Sequence, residues 1–178
     1  MNKVTLSDLK ELAQNAQGNI SHLYLHWSAG HYTSYFDDYH VNIAGDGSIY
    51  VSCESLEEHK SHTYMRNTGA VGIALACCAG ATSDNLGTEP PTDAQIETMA
   101  QVIAVLCEGL GLPIDVAHVQ THGEAGDNID GLSTYAPYGQ NTTCERWDLA
   151  ILKNGDTWSS GGDTLRGKAI YYENQGGC

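Results

Sequence analysis

The stretch "AVGIALACCAG", Ala70 to Gly80, is apolar at almost every position and far too short to span a bilayer, so it predicts a strand buried on both faces. Such a strand needs covered neighbours, and the segments on either side supply them. Upstream, "YHVNIAGDGSIYVS" (Tyr39 to Ser52) is two short strand-like runs around Gly45, Asp46 and Gly47, the chemistry of a tight hairpin. Before it, "HLYLHW" alternates Leu23, Leu25 and Trp27 with His22, Tyr24 and His26, which predicts a strand with one polar face and His26 near its end. The chain begins with a predicted helix: Thr5 and Asp8 form a capping box, Leu6, Leu9, Leu12, Ala13 and Ala16 share a face, and Gly18 stops it.

Downstream, "ATSDNLGTEPP" collects turn formers and reads as an exposed connection. Thr92 and Gln95 form a second capping box, opening a helix whose inner face carries Ile96, Met99, Ile103, Leu106 and Leu110, with Gly111 and Pro113 ending it. "DVAHVQTH" predicts a further strand that delivers His122 to its C-terminal end. Residues 123–148 then read as one long polar loop rich in glycine and tyrosine, a length usually reserved for function. A last helix is expected from Asp163, with Leu165, Ala169 and Tyr172 inward. Strands alternating with helices predict an α/β fold, a central mixed sheet flanked by helices, in a single domain over residues 1–178.

Eight basic against 22 acidic residues give a formal net charge of −14, the wrong sign for holding nucleic acid or an anionic membrane surface. No run has the length of a membrane span, and the N-terminal residues lack the apolar core of a signal peptide. The expectation is a chain made in the cytoplasm, with its six cysteines (Cys53, Cys77, Cys78, Cys107, Cys144 and Cys178) as reduced thiols. Cys77 and Cys78, as strand neighbours, would face opposite sides.

His122 and Glu124 stand two apart, the spacing of a zinc deaminase ligand and its acid/base, but the Pro-Cys-x-x-Cys partner of that signature is absent. A helical His-Glu-x-x-His pair is absent too. What remains is a long-range site. Two histidines at strand ends, His26 and His122, plus Asp148 or Cys144 from "CERWD", meet the need of catalytic zinc for three protein ligands and an open position.

The ordered stretches "LYLHWSAG", "YHVNIAGDGSIY", "HTYMRNTGAVGIAL", "HVQTHGEAG" and "ERWDL", spread from His22 to Leu149, resemble the zinc-dependent N-acetylmuramoyl-L-alanine amidases. That group includes phage lysis amidases and peptidoglycan recognition proteins. The resemblance implies a peptidoglycan recognition protein-like amidase fold and Zn2+ held by His26, His122 and Asp148. Family members carry cysteine or aspartate at the third position, with a basic residue two before it. Arg146 precedes Asp148 in this way, whereas Thr142 precedes Cys144, so Cys144 is the alternative ligand.

The resemblance also gives Tyr39 to the active-site wall, Arg146 to stabilisation of the oxyanion and His62 to the edge of the substrate groove. Read by themselves, these are a half-buried strand tyrosine, a surface ion-pair partner and a structural histidine. Glu124, if it shares one side of an extended chain with His122, either takes a proton from water or orients a ligand histidine. Tyr135 and Tyr138 are expected to contact sugar or peptide, while His22, His31, His40, His59 and His118 read as structural. The implied reaction is hydrolysis of the amide between N-acetylmuramic acid and L-alanine in peptidoglycan or muropeptides, with no separate wall-binding domain. The implied setting is a phage or prophage lysis enzyme acting on the wall after release. A cytosolic enzyme of anhydro-muropeptide recycling and a metal-free binding module are the alternatives.

Overall fold

The computed structural model describes residues 1–82, 85–132 and 147–176. Six strands form one mixed sheet: β1 (Asn2–Val4), β2 (His22–Trp27), β3 (Val41–Ile43), β4 (Ile49–Val51), β5 (Ala70–Leu75) and β6 (Val119–Thr121), in the spatial order β1-β4-β3-β5-β2-β6. The β3–β5, β5–β2 and β2–β6 pairs are parallel, and β1–β4 and β4–β3 are antiparallel. The helices are α1 (Leu6–Asn15), α2 (Asp93–Leu110), the single turn α3 (His122–Gly126) and α4 (Gly161–Asn174). This is the α/β architecture expected, a central mixed sheet flanked by helices. Among the described residues no helix is long and apolar enough to cross a membrane.

Both predicted capping boxes form, Thr5 with Asp8 on α1 and Thr92 with Gln95 on α2. Gln95 does more than cap. Its Nε2 donates to the carbonyls of Ile43 at 3.1 Å and Ala76 at 2.9 Å, tying the start of α2 to the ends of β3 and β5. Leu23, Leu25 and Trp27 of β2 join Ile73 and Leu75 of β5 and the inner faces of α1, α2 and α4 in the main core.

β5 is buried along its whole length, as its composition predicts, but β2 corrects its own pattern. Its predicted polar face is covered, because β2 lies between β5 and β6 and the chain around His62 packs over Tyr24 and His26. Three further expectations are corrected. β5 stops at Leu75, and the left-handed φ of +67° at Cys78 swings the backbone so that the Cys77 and Cys78 sulfurs lie 3.5 Å apart instead of on opposite sides. The loop expected from residue 123 opens instead with α3. Finally, α4 begins at Gly161, two residues before Asp163, after Ser160, whose side chain makes no capping bond.

Candidate metal centre

β2 carries His26 near its C-terminal end, paired with Ala74 of β5 and one residue beyond the Leu25–Thr121 pairing with β6. β6 ends at Thr121, where the chain turns into α3 so that His122 is its first residue. The turn is set locally. Thr121 Oγ1 accepts from the Glu124 N–H at 3.0 Å and Glu124 Oε1 accepts from the Thr121 N–H at 2.9 Å, a reciprocal cap. Asp148 lies in the turn leading to Leu149 and Ala150, and its carbonyl accepts from Gly123 N–H at 3.0 Å, so the backbones bearing His122 and Asp148 are bonded directly.

These placements bring three donor atoms together. His26 Nδ1 lies 3.0 Å from His122 Nδ1 and 3.1 Å from Asp148 Oδ2, and His122 Nδ1 lies 3.2 Å from the same oxygen. His26 and Asp148 are 0% exposed and His122 is 6% exposed. A triangle of this kind is hard to satisfy with protons alone. If each Nδ1 carries one, both donate to Asp148 and the two N–H groups collide; if only one does, a lone pair faces a lone pair across another edge. A cation in the centre satisfies all three edges at once. Ligand atoms about 2.0–2.1 Å from a tetrahedral ion stand roughly 3.3–3.4 Å from one another, close to the edges observed. His26, His122 and Asp148 are therefore the residues that can hold a metal ion, and among the described residues they form the one such group.

Around them lies an aromatic shell. Tyr39, buried, packs its ring 5.0 Å from that of His26, and His62 approaches His26 edge-on at 5.4 Å. Gly72 of β5 makes room for His62, since a Cβ there would lie 2.7 Å from ring atoms Cγ and Cδ2. His62 is thus buried among Tyr24, His26 and His40, beside the donor triangle. Burial, with the His26, His40 and His122 rings beside it, pushes its pKa down to about 2, so it stays neutral. Its Nδ1 is 2.8 Å from Thr63 Oγ1, which is 3.3 Å from His26 Nε2. The contacts run in a chain from the His26 ring through Thr63 to His62. Thr63 was not singled out from sequence, where a lone threonine after histidine gives no signal.

Glu124 corrects its sequence reading most clearly. The two-apart spacing assumed an extended chain, but residues 122–126 are helical, and both carboxylate oxygens are taken by Arg166 of α4: Nη1 to Oε1 and Nη2 to Oε2, each 2.8 Å. Glu124 and Arg166 are each 6% exposed. The carboxylate thus ties the α3 turn to α4 through a buried guanidinium. His40 is structural as expected: buried, it donates from Nε2 to the Glu58 carbonyl and accepts the Gly72 N–H on Nδ1, and burial lowers its pKa to about 4. Arg146, Cys144, Tyr135 and Tyr138 lie outside the described residues.

Three solved structures are similar to this chain in part. PGRP-SA of Apis mellifera matches at 16% identity and a TM-score of 0.44, over 58% of this chain and 71% of its own. The N-acetylmuramoyl-L-alanine amidase LysC of Clostridium intestinale URNW matches at 16% and 0.43, over 70% and 80%. The endolysin amidase LysCS of the same organism matches at 17% and 0.44, over 69% and 77%. No curated protein matches the chain by sequence. The family model of the N-acetylmuramoyl-L-alanine amidases matches residues 11–146, most of the chain, with two of the three donors inside that range, and the protein belongs to this family of peptidoglycan amidases.

Proposed function

We propose that the protein is a zinc-dependent amidase that hydrolyses the bond between the lactyl group of N-acetylmuramic acid and the L-alanine of the stem peptide. The observation that carries this reading is the buried triangle of His26 Nδ1, His122 Nδ1 and Asp148 Oδ2 in a chain of the amidase family. Two imidazole nitrogens and one carboxylate oxygen suit zinc and leave its fourth position to water. Zinc bound there supplies a Lewis acid and a water whose pKa falls to about 7.

The chain's own residues divide the remaining work. Thr63 fixes the tautomer of His26 by accepting its Nε2–H, which keeps Nδ1 as the ligand atom. Tyr39, packed on His26, walls the centre and is the proposed proton relay to the leaving amine of L-alanine. Arg146, two residues before Asp148, stabilises negative charge on the scissile carbonyl oxygen; a guanidinium does not give up its proton at ordinary pH. Tyr135 and Tyr138 are the proposed contacts to sugar or peptide, each with an apolar face and a hydroxyl.

The test is metal analysis of the purified protein beside digestion of peptidoglycan, with and without chelator. The expected result is about one zinc per chain, release of free amines and no new reducing ends, with release lost on chelation and in Asp148→Asn. Amine release that survives loss of Asp148 would remove it from the ligand set, and zinc-free protein that still binds wall fragments would replace the enzyme reading with that of a binding module. The lysis setting is part of the proposal: intact wall should be cleaved at least as well as anhydro-muropeptides, and the reverse preference would favour recycling.

A further inference from the structure

The segment after the family match is not a passive tail. α4 opens with Gly161 and Gly162, and each presses on one of the two ligand-bearing turns. A Cβ on Gly161 would lie 1.8 Å from the carbonyl oxygen of Leu149, the residue after Asp148, and the Gly161 N–H donates to the Ala150 carbonyl at 3.2 Å. A Cβ on Gly162 would lie 2.3 Å from Glu124 Oε1, on the turn that His122 begins. One helical turn further on, Arg166 grips both oxygens of Glu124 and also donates to the Val119 carbonyl of β6 at 2.8 Å. Asp163 supplies a second acceptor for Arg166 at 2.9 Å.

We infer that the start of α4 is a positioning clamp for the metal centre: Gly161, Gly162 and Arg166 lock the His122 turn and the Asp148 turn against one another and so set the spacing of two of the three donors. The two turns already share the Gly123–Asp148 hydrogen bond, and Gly123 has only about 3.0 Å between its would-be Cβ and that of Ala150. They therefore move as one body, which the Leu25–Thr121 pairing of β2 with β6 joins to the strand of His26 and which the clamp braces from the α4 side. A buried arginine paired to a buried glutamate is a costly device for stability alone, since a well-packed apolar pair often serves as well. Its use here, on the residue that caps the ligand turn, fits a demand for fixed geometry. Partners that orient metal ligands from outside the coordination sphere change metal affinity by about 10–100-fold when removed.

This inference rests on the metal reading above, and the experiment separates the two. Zinc affinity is measured by chelator competition at a temperature well below each melting point, for the wild type, Arg166→Met, Gly162→Ala and Lys168→Met. Lys168 lies on the same helix but pairs with Glu97 of α2, so its loss weakens α4 packing without touching either ligand turn. The expected result is one zinc on the wild type, affinity weakened about 10–100-fold in Arg166→Met and in Gly162→Ala, and unchanged in Lys168→Met. Should Arg166→Met fail to fold, Gly162→Ala carries the comparison. Wild-type affinity in the clamp variants, or equal losses in Lys168→Met, would overturn the inference. A wild type that takes up no zinc would overturn the metal reading itself and the clamp with it.

Discussion

Glu124→Gln separates a proton carrier from a structural anchor, and the geometry sets what each predicts. The carboxylate and Arg166 are almost fully buried and joined by two 2.8 Å bonds. Breaking such a pair by neutralising one partner costs about 3–5 kcal/mol, because a buried charge is left uncompensated. Two features pull the cost to the low end. A glutamine Oε1 can still accept from the Thr121 N–H and from Arg166 Nη1, and Arg166 Nη2 keeps its bond to the solvent-exposed Asp163. The expected loss is about 3 kcal/mol, and at roughly 2–4 °C per kcal/mol for a chain of this size the melting temperature should fall by about 6–12 °C. The assay is thermal melting paired with kcat for amine release at saturating zinc and at 25 °C, where the variant remains folded. An anchor loses stability and keeps kcat within about tenfold, whereas removal of a general acid or base costs about 10²–10⁴ in rate. A variant with an unchanged melting point and a kcat lowered by that larger factor would refute the assignment of Glu124 to the clamp.

Three further outcomes follow from other parts of the molecule. Gly72→Ala should cost about 1–3 kcal/mol in denaturant unfolding, since its Cβ meets the His62 ring at 2.7 Å where Tyr24 and His26 already hem the ring in; no loss would mean the ring yields freely. His40 is neutral in the fold with a pKa of about 4 against 6.5 unfolded, so its contribution is complete above pH 6.5 and is lost as the pH falls toward 4, by about 3 kcal/mol. The stability–pH curve of His40→Gln should be flatter in that window, and an unchanged slope would contradict the buried neutral state. Cys53, Cys77, Cys78 and Cys107 are buried free thiols, and burial raises the thiol of Cys53 to about 11 and that of Cys107 to about 12; a thiol reagent should label all four only on unfolding, as peptide mapping after a native pulse can check.

What the sequence made legible depended on how local its physical cause was. The apolar runs of β2 and β5 and the two capping boxes are set within a few residues, and each element forms, although the polar face read for β2 is buried and β5 is shorter than its apolar run. The Thr121-x-x-Glu124 pattern carried the same capping signal, so α3 was legible, but reading His122 as the end of a strand concealed it. β1 was not. Three residues at the sheet edge are specified by their pairing to β4, almost fifty residues away, and not by any pattern of their own. The donor set could be named from order and resemblance, yet the partner of Glu124 could not, because Arg166 lies 42 residues on and looks like any charged residue of a helix.

The centre also explains why polar residues occupy a face that the β2 pattern would leave to solvent. Tyr24 and His26 point away from the helix-covered core, and the layer over them is made of His40, His62, Thr63 and the α3 turn, not of another helix. A layer of side chains with hydrogen-bonding capacity is buried most readily when its donors and acceptors find one another, which His40 does through Glu58 and Gly72, and His62 through its Nδ1 and Thr63. Within the triangle of the three donors at its edge, no distribution of protons satisfies every side. The fold thus gathers the three donor atoms and holds them from two sides, the sheet through the β2–β6 pairing beside His26 and His122, and the helical side through Glu124 and Arg166. A cation removes the conflict, so metal binding should stabilise the fold by an amount that grows with the logarithm of free metal.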